Sequence, residues 1–252
     1  MIARLFSGGV FAIALALAAA AHAASPPCRT ATFEGSRFTV CRYDPATQTL
    51  KLMWRGGKGR PLDSLAGLQT ALGAAAPRVA FAMNAGMYER DQSPLGLFVA
   101  AGKTVRPLNR TTGSGNFHLV PNGVFWTSRD GAPHIDETSA FADRKPAAWQ
   151  ATQSGPLLVG HGQFNPQITP NGASELIRNG VGVHGREALF VISDDAVSFG
   201  RFARFFRDGL GCPDALFLDG RVSSLWAPGL SRENSREGLG TFVVVLRRRT
   251  RN

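Results

Sequence analysis

Gly180-Val181-Gly182-Val183-His184-Gly185-Arg186-Glu187-Ala188-Leu189-Phe190-Val191-Ile192 is the stretch that decides how the rest of the chain is read. Its first six residues match G-x-G-x-x-G letter for letter, the pattern that seats a pyrophosphate on a helix N-terminus in a βαβ unit. That mechanism needs a helix after the glycines. Here an apolar run, residues 188–192, follows them instead. The stretch is a hairpin, with strands 180–183 and 188–192 about a His184-Gly185-Arg186-Glu187 turn, and a dinucleotide-binding crossover is excluded.

Toward the C-terminus, Phe199, Phe202, Phe206 and Leu210 recur at helical spacing, with Ser198 as N-cap. Residues 215–218 form an apolar strand that stops at Asp219-Gly220, and 242–246 supply a closing strand. Toward the N-terminus, 156–159 is a short strand with its return beginning at Gly162-Gln163, and 128–148 is polar and irregular. Residues 95–99, 117–120 and 124–127 read as strands joined by Gly-containing turns. Residues 79–83 are a buried-type strand running into Asn84. Leu62, Leu65, Leu68 and Leu72 mark a helix closed by Gly73 and Pro77. Residues 38–43 and 50–54 make an opening meander about Asp44-Pro45. No period repeats, and no Pro/Gly/Ser linker divides the chain. The expectation is an α+β fold, a single compact domain of mixed β-sheet with packed helices.

Composition agrees. Of 252 residues, 44% are hydrophobic and 18% charged, which is ample for a core, and 29 glycines favour turns and short strands over a helical bundle. Residues 1–23 stand apart: Arg4, an uncharged run from Val10 to Ala21, then Ala21-His22-Ala23 with small residues where a signal peptidase cuts. The run is shorter than the ~20 residues of a membrane span. The expectation is a cleaved signal peptide and a periplasmic or secreted protein over 24–252, with no stable membrane insertion. The full chain carries a formal charge of +10, which falls to +9 without Arg4, and such a basic surface attracts polyanions. Export sets nucleic acid aside and leaves anionic glycans, phosphorylated sugars and lipid headgroups. Arg247, Arg248, Arg249 and Arg251 read as a solvated terminus rather than a binding arm.

Cys28 and Cys41 flank a segment that turns at Glu34-Gly35-Ser36, and an oxidising compartment favours a disulfide across it. Cys212 has apolar neighbours and no adjacent base, so it reads as a structural thiol. There is no G-x-x-x-x-G-K-[ST], H-E-x-x-H, C-x-x-C or G-x-S-x-G. His118, His134, His161 and His184 are scattered without metal-ligand spacing. No metal and no cofactor is implied, and the sequence is silent on oligomeric state.

What remains is polar residues placed where apolar strands end. Asn84 follows 79–83, Asp219 follows 215–218, Arg178 precedes 180–183, and Asp194 and Asp195 follow 188–192. Such ends hold chemical groups on a rigid base. A carboxylate closing a strand as apolar as Ala-Leu-Phe-Leu is partly desolvated, which raises its pKa toward acid/base work. The other reading of Asp219 is a turn cap.

Four segments, in order, carry a resemblance: Asn84-Ala85-Gly86-Met87-Tyr88 with Pro94-Leu95-Gly96, Gln153-Ser154-Gly155-Pro156-Leu157-Leu158, Ile177-Arg178-Asn179-Gly180-Val181-Gly182, and Leu218-Asp219-Gly220-Arg221-Val222-Ser223-Ser224. Together they resemble the phosphodiester glycosidase family, above all bacterial members associated with exopolysaccharide. The chain departs from the family in two places. Asn84-Ala85-Gly86-Met87 stands where the family has Asn-Gly-Gly-Phe, and Arg221-Val222 replaces two glycines after Gly220.

The resemblance implies an exported hydrolase of a sugar phosphodiester. In it Arg178 clamps phosphate, its planar fork matching the oxygens, unless it pairs with Glu175 one turn away. Asp219 is the acid/base or nucleophile, with Asp194 as its first candidate partner and Asp195, Glu175 and Asp91 behind it. Asn84, Gly86, Ser154, Gly155, Gly220, Ser223 and Ser224 line the substrate site. Arg221 either contacts phosphate or points into solvent. Two other classes compete: a non-catalytic binder of anionic exopolysaccharide, and a plain esterase using Ser154 or Ser223.

Overall fold

Two apolar sets alternate along single strands, and this alternation organises the molecule. The structure, a computed structural model, describes residues 26–57, 59–220, 222–234 and 236–249. The expected signal peptide and Arg221 lie outside the described residues. Strand accounts for 42% and helix for 17%, so sheets carry the architecture.

Three sheets form, and every pairing between named strands is antiparallel. The first, in spatial order, is β1 (Cys28–Phe33), β2 (Ser36–Tyr43), β13 (Glu187–Ser193), β12 (Asn179–His184), β14 (Asp214–Asp219), β10 (Leu157–Gly160) and β11 (Gln163–Phe164). The second is β16 (Arg232–Glu233), β15 (Leu225–Ala227), β4 (Val79–Asn84), β17 (Phe242–Arg247) and β3 (Gln48–Met53). The third is β6 (Lys103–Arg106), β5 (Phe98–Ala100), β9 (Gln150–Ser154), β7 (Gly123–Thr127) and β8 (Pro133–Glu137).

One face of each sheet meets a shared core. Phe190 of β13 lies 5.5 Å from Phe81 of β4 and 5.4 Å from Phe125 of β7, ring centre to ring centre, so a single side chain joins all three sheets. Truncating it to alanine would cost about 3–5 kcal/mol. The opposite faces are covered by helices. On the first sheet, α3 (Phe199–Arg204) and the wider turn continuing it pack Phe202, Phe205 and Phe206 against Phe38 and Phe217. On the second, α1 (Leu65–Leu72) sets Leu65 and Leu68 against Val244 and Leu246. On the third, α2 (Thr138–Arg144) sets Phe141 beside Trp126.

The hairpin about Gly185, with its φ of 60°, forms as its sequence predicts, and Cys28 bonds Cys41 across β1 and β2. Cys212 is buried, which pushes its thiol up to about 12. Three readings are corrected. Residues 117–120 are not a strand: Asn116–His118 is a 3-10 turn, entered from Gly115 at φ 85° and closed by Pro121. Residues 128–148 are not irregular, because they contain β8 and α2. That helix buries only Thr138 and Phe141, too few to show a period. The helix at Leu65 also begins after Leu62, where the Ser64 hydroxyl accepts the Gly67 N–H at 3.1 Å.

Candidate active site

The ends of β4, β12 and β14 converge because Asn84, Asn179 and Asp219 terminate apolar runs at the same edge. Asn179 faces Asp219 across the ladder, while Gly180 faces Phe217, so Leu218 is an extra residue in a bulge. Bulges of this kind re-aim side chains near sites. Asn179 Oδ1 accepts the Asp219 N–H at 3.0 Å, and its Nδ2 donates to the Asn84 carbonyl at 2.8 Å. Asn84 Oδ1 accepts the Ser224 N–H at 2.8 Å, whereas Asn84 Nδ2 is buried with no partner. The Ser223 hydroxyl lies 3.0 Å from the Asp219 carbonyl. A buried amide chain thus joins the first sheet to the second and holds the backbone of Asp219.

Asp219, only 8% exposed, opens onto a cleft of about 630 Å3. Met87, Tyr88, Leu95, Asn116, Leu176, Gly220 and Val222 complete its described wall. Tyr88 is fixed from behind: a Cβ on Gly240 would lie 2.2 Å from Tyr88 Cγ, so only glycine lets the ring lie there. Burial and the negative charge of Asp219 push the Tyr88 hydroxyl up to about 12. It therefore stays protonated, a donor, at any working pH.

Arg178 immediately precedes Asn179, the β12 residue that faces Asp219, and since successive residues alternate it takes the face opposite to Asn179 and Asp219. The Arg178 guanidinium stacks on Phe199 at 3.7 Å, Nε donates to the Val197 carbonyl at 2.8 Å, and Nη2 donates a second bond to the Ser174 carbonyl at 2.9 Å. It is 1% exposed, one guanidinium nitrogen is buried without a partner, and burial lowers its pKa to about 10. Arg178 is not among the described residues that line the cleft. It lies behind the wall, with a Cβ on Gly220 only 3.6 Å from its stem. Glu175 is not its partner, for that carboxylate lies 3.8 Å from Arg201.

The other expected site residues divide. Gly220 lines the cleft, and Ser223 and Ser224 belong to the amide chain. Gly86 gives its N–H to Thr152 Oγ1 at 3.2 Å, so that donor is already engaged. Ser154 is buried, with its hydroxyl on the Leu218 carbonyl at 2.7 Å. Gly155 is a packing residue, since a Cβ there would lie 2.7 Å from the Phe117 carbonyl. Asp194 is held by Thr39 and Arg232, Asp195 by Arg37, and Asp91 by Ser93. None of these three carboxylates is among the described cleft residues. Tyr88 and Asn179 were missed as site residues. Asn179 precedes an apolar strand, which is the same signal that singled out Arg178.

Residues 77–245 match a family model described as phosphodiester glycosidase. An uncharacterized protein of Escherichia coli (strain K12), YigE, is 36% identical over 216 residues, 83% of each chain. Among solved structures, the catalytic domain of zebrafish N-acetylglucosamine-1-phosphodiester alpha-N-acetylglucosaminidase, auto-inhibited by its pro-peptide, aligns at TM-score 0.59 and 15% identity over 90% of this chain and 86% of that one. A hypothetical protein from Synechocystis aligns at TM-score 0.54 and 16% identity over 88% and 61%.

Proposed function

We propose, because this chain belongs to the phosphodiester glycosidase family, that it is an exported hydrolase that cleaves the glycosyl–phosphate bond of a sugar phosphodiester. The observation that carries the reading is Asp219 at the cleft wall. Among the described residues lining the cleft it is the one carboxylate.

Ordinary glycoside hydrolysis uses two carboxyl groups, because a sugar alkoxide must be protonated as it leaves. A phosphate monoester, whose second pKa is near ~6, departs without that help. One carboxylate then suffices. Asp219 takes a proton from water, the water oxygen bonds to the anomeric carbon, and the carbon–oxygen bond to phosphate breaks. The products are a reducing sugar and a phosphomonoester. Tyr88 donates from its fixed phenol, and Arg178 supplies positive charge from behind Gly220, where a low dielectric strengthens its field. Asp194 anchors the loop that presents the Val197 carbonyl to Arg178. The Cys28–Cys41 bond supports an oxidising, extracytoplasmic setting.

The competing classes fit less well. A binder of polyanions needs cations on its wall, and none of the described cleft residues is Lys, Arg or His. An esterase needs an activated serine, whereas Ser154 and Ser223 direct their hydroxyls at backbone carbonyls.

The test is a panel of sugar-1-phosphodiesters beside matched neutral glycosides. Turnover of the charged set alone is expected, with Asp219→Asn lowering kcat about 10²–10⁴-fold at an unchanged melting temperature. Equal turnover of neutral glycosides, or a fully active Asp219→Asn, overturns the reading.

A further inference from the structure

The cleft is divided by chemistry. Among the described residues, Asp219, Asn116 and the Tyr88 hydroxyl are its polar groups, while Met87, Leu95, Leu176 and Val222 form an aliphatic wall. Leu176 is 46% exposed, one of four large apolar side chains left so open among the described residues, and the one of those four that lines this cleft. Its position is imposed by the backbone: Leu176 N–H donates to the Val197 carbonyl at 3.2 Å, and Val197 N–H donates back at 2.9 Å. Met87 and Val222 are anchored from behind, one on the α3-covered core and the other on the α1-covered core. Three of the four wall residues are therefore tied to the fold behind them, Leu176 by its backbone and Met87 and Val222 by packing.

A sugar ring offers one C–H face, which a single aromatic side chain such as Tyr88 covers. Four aliphatic side chains exceed that need. A second sugar placed against them would lose water from its hydroxyls and gain no hydrogen bonds, which is costly. A cleft of about 630 Å3 is also of a size that takes a ligand larger than one monosaccharide.

Resting on the phosphodiester reading above, we infer that the alcohol on the far side of the phosphate is apolar, an alkyl or prenyl chain lying along Leu176 and Val222, and that Leu176 determines this specificity.

The experiment compares sugar-1-phosphodiesters that differ only in the alcohol: methyl, hexyl, or a second hexose. For the wild-type protein, kcat/KM on the hexyl ester is expected at least tenfold above the methyl ester, mainly through KM, with the hexose ester lowest. Leu176→Ser is expected to bring the hexyl-to-methyl ratio close to one. Calorimetry on the Asp219→Asn variant reads the same order without turnover, with a more negative heat-capacity change for the hexyl ligand. Equal kcat/KM for methyl and hexyl esters, or preference for the hexose ester, overturns the inference and leaves the phosphodiester reading standing. A Leu176→Ser variant that keeps the wild-type ratio removes Leu176 from the role. Failure to cleave any ester in the series overturns the phosphodiester reading itself, and this inference with it.

Discussion

Asn179 and Asp219 face each other across β12 and β14, and the Asn179 amide accepts the Asp219 backbone N–H at 3.0 Å while donating to the Asn84 carbonyl at 2.8 Å. One neutral side chain thus fixes the proposed catalytic strand end to the neighbouring sheet. All three residues are nearly excluded from water, so the chain of bonds has no solvent substitute.

Asn179→Ala is expected to destabilise the protein by about 3 kcal/mol, because it strands a buried N–H and a buried carbonyl. Urea unfolding should show a lower midpoint at an unchanged slope. A midpoint shift of less than half a kilocalorie equivalent would mean that water replaces the amide.

Gly240→Ala should drive the Tyr88 ring from its seat, since the added methyl carbon falls 2.2 Å from Cγ. A lower melting temperature and a raised KM are expected together. Adding Tyr88→Ala should restore part of the stability, giving a coupling energy of about 1–3 kcal/mol. Strict additivity of the two changes would refute the steric account.

Arg178→Met separates stability from activity. The wild-type guanidinium is buried with one nitrogen unpartnered, and desolvation has already lowered its pKa to about 10. Replacing such a charge with an apolar side chain is often neutral or stabilising. The melting temperature should hold or rise while kcat/KM on a phosphodiester falls roughly 10–100-fold, as loss of a nearby positive charge acting through a low dielectric predicts. A variant that loses stability and keeps its activity would assign Arg178 to structure alone.

The Arg37–Asp195 pair braces the loop that presents the Val197 carbonyl to Arg178. Bonds from the Arg37 side chain and backbone hold the Asp195 carboxyl down at about 2, against an ordinary 3.8. A depressed acid stabilises the fold above its unfolded value, and that contribution disappears as pH falls from about 4 toward 2. The wild-type melting temperature should decline across this window more steeply than that of Arg37→Ala. Both partners are open to solvent, so 0.5 M salt should shrink the difference. Parallel curves would show that the pair is thermodynamically silent.

The chain's own pattern was sufficient for the hairpin at residues 180–192, for β4, β14 and β17, and for Asp219 as the polar stop after an apolar run. These are local: period-two apolar residues and turn glycines need no partner to be recognised. It was not sufficient for β9, Gln150–Ser154, a wholly buried strand with almost no apolar residue. Gln150 and Gln153 are tolerated there because their amides take the N–H groups of Leu52, Leu97 and Asn109 from distant segments. No window of sequence contains both partners of such a bond.

The same reason governs the site. Sequence alone determined which groups stand at strand ends, and so named Asn84, Arg178 and Asp219. Only tertiary structure decided which face each side chain takes. A one-residue bulge at Leu218 and the ladder register turn Asp219 to the cleft and Arg178 to the helix side. Orientation in a sheet is a property of pairing between strands forty residues apart, and it reverses with a shift of a single position.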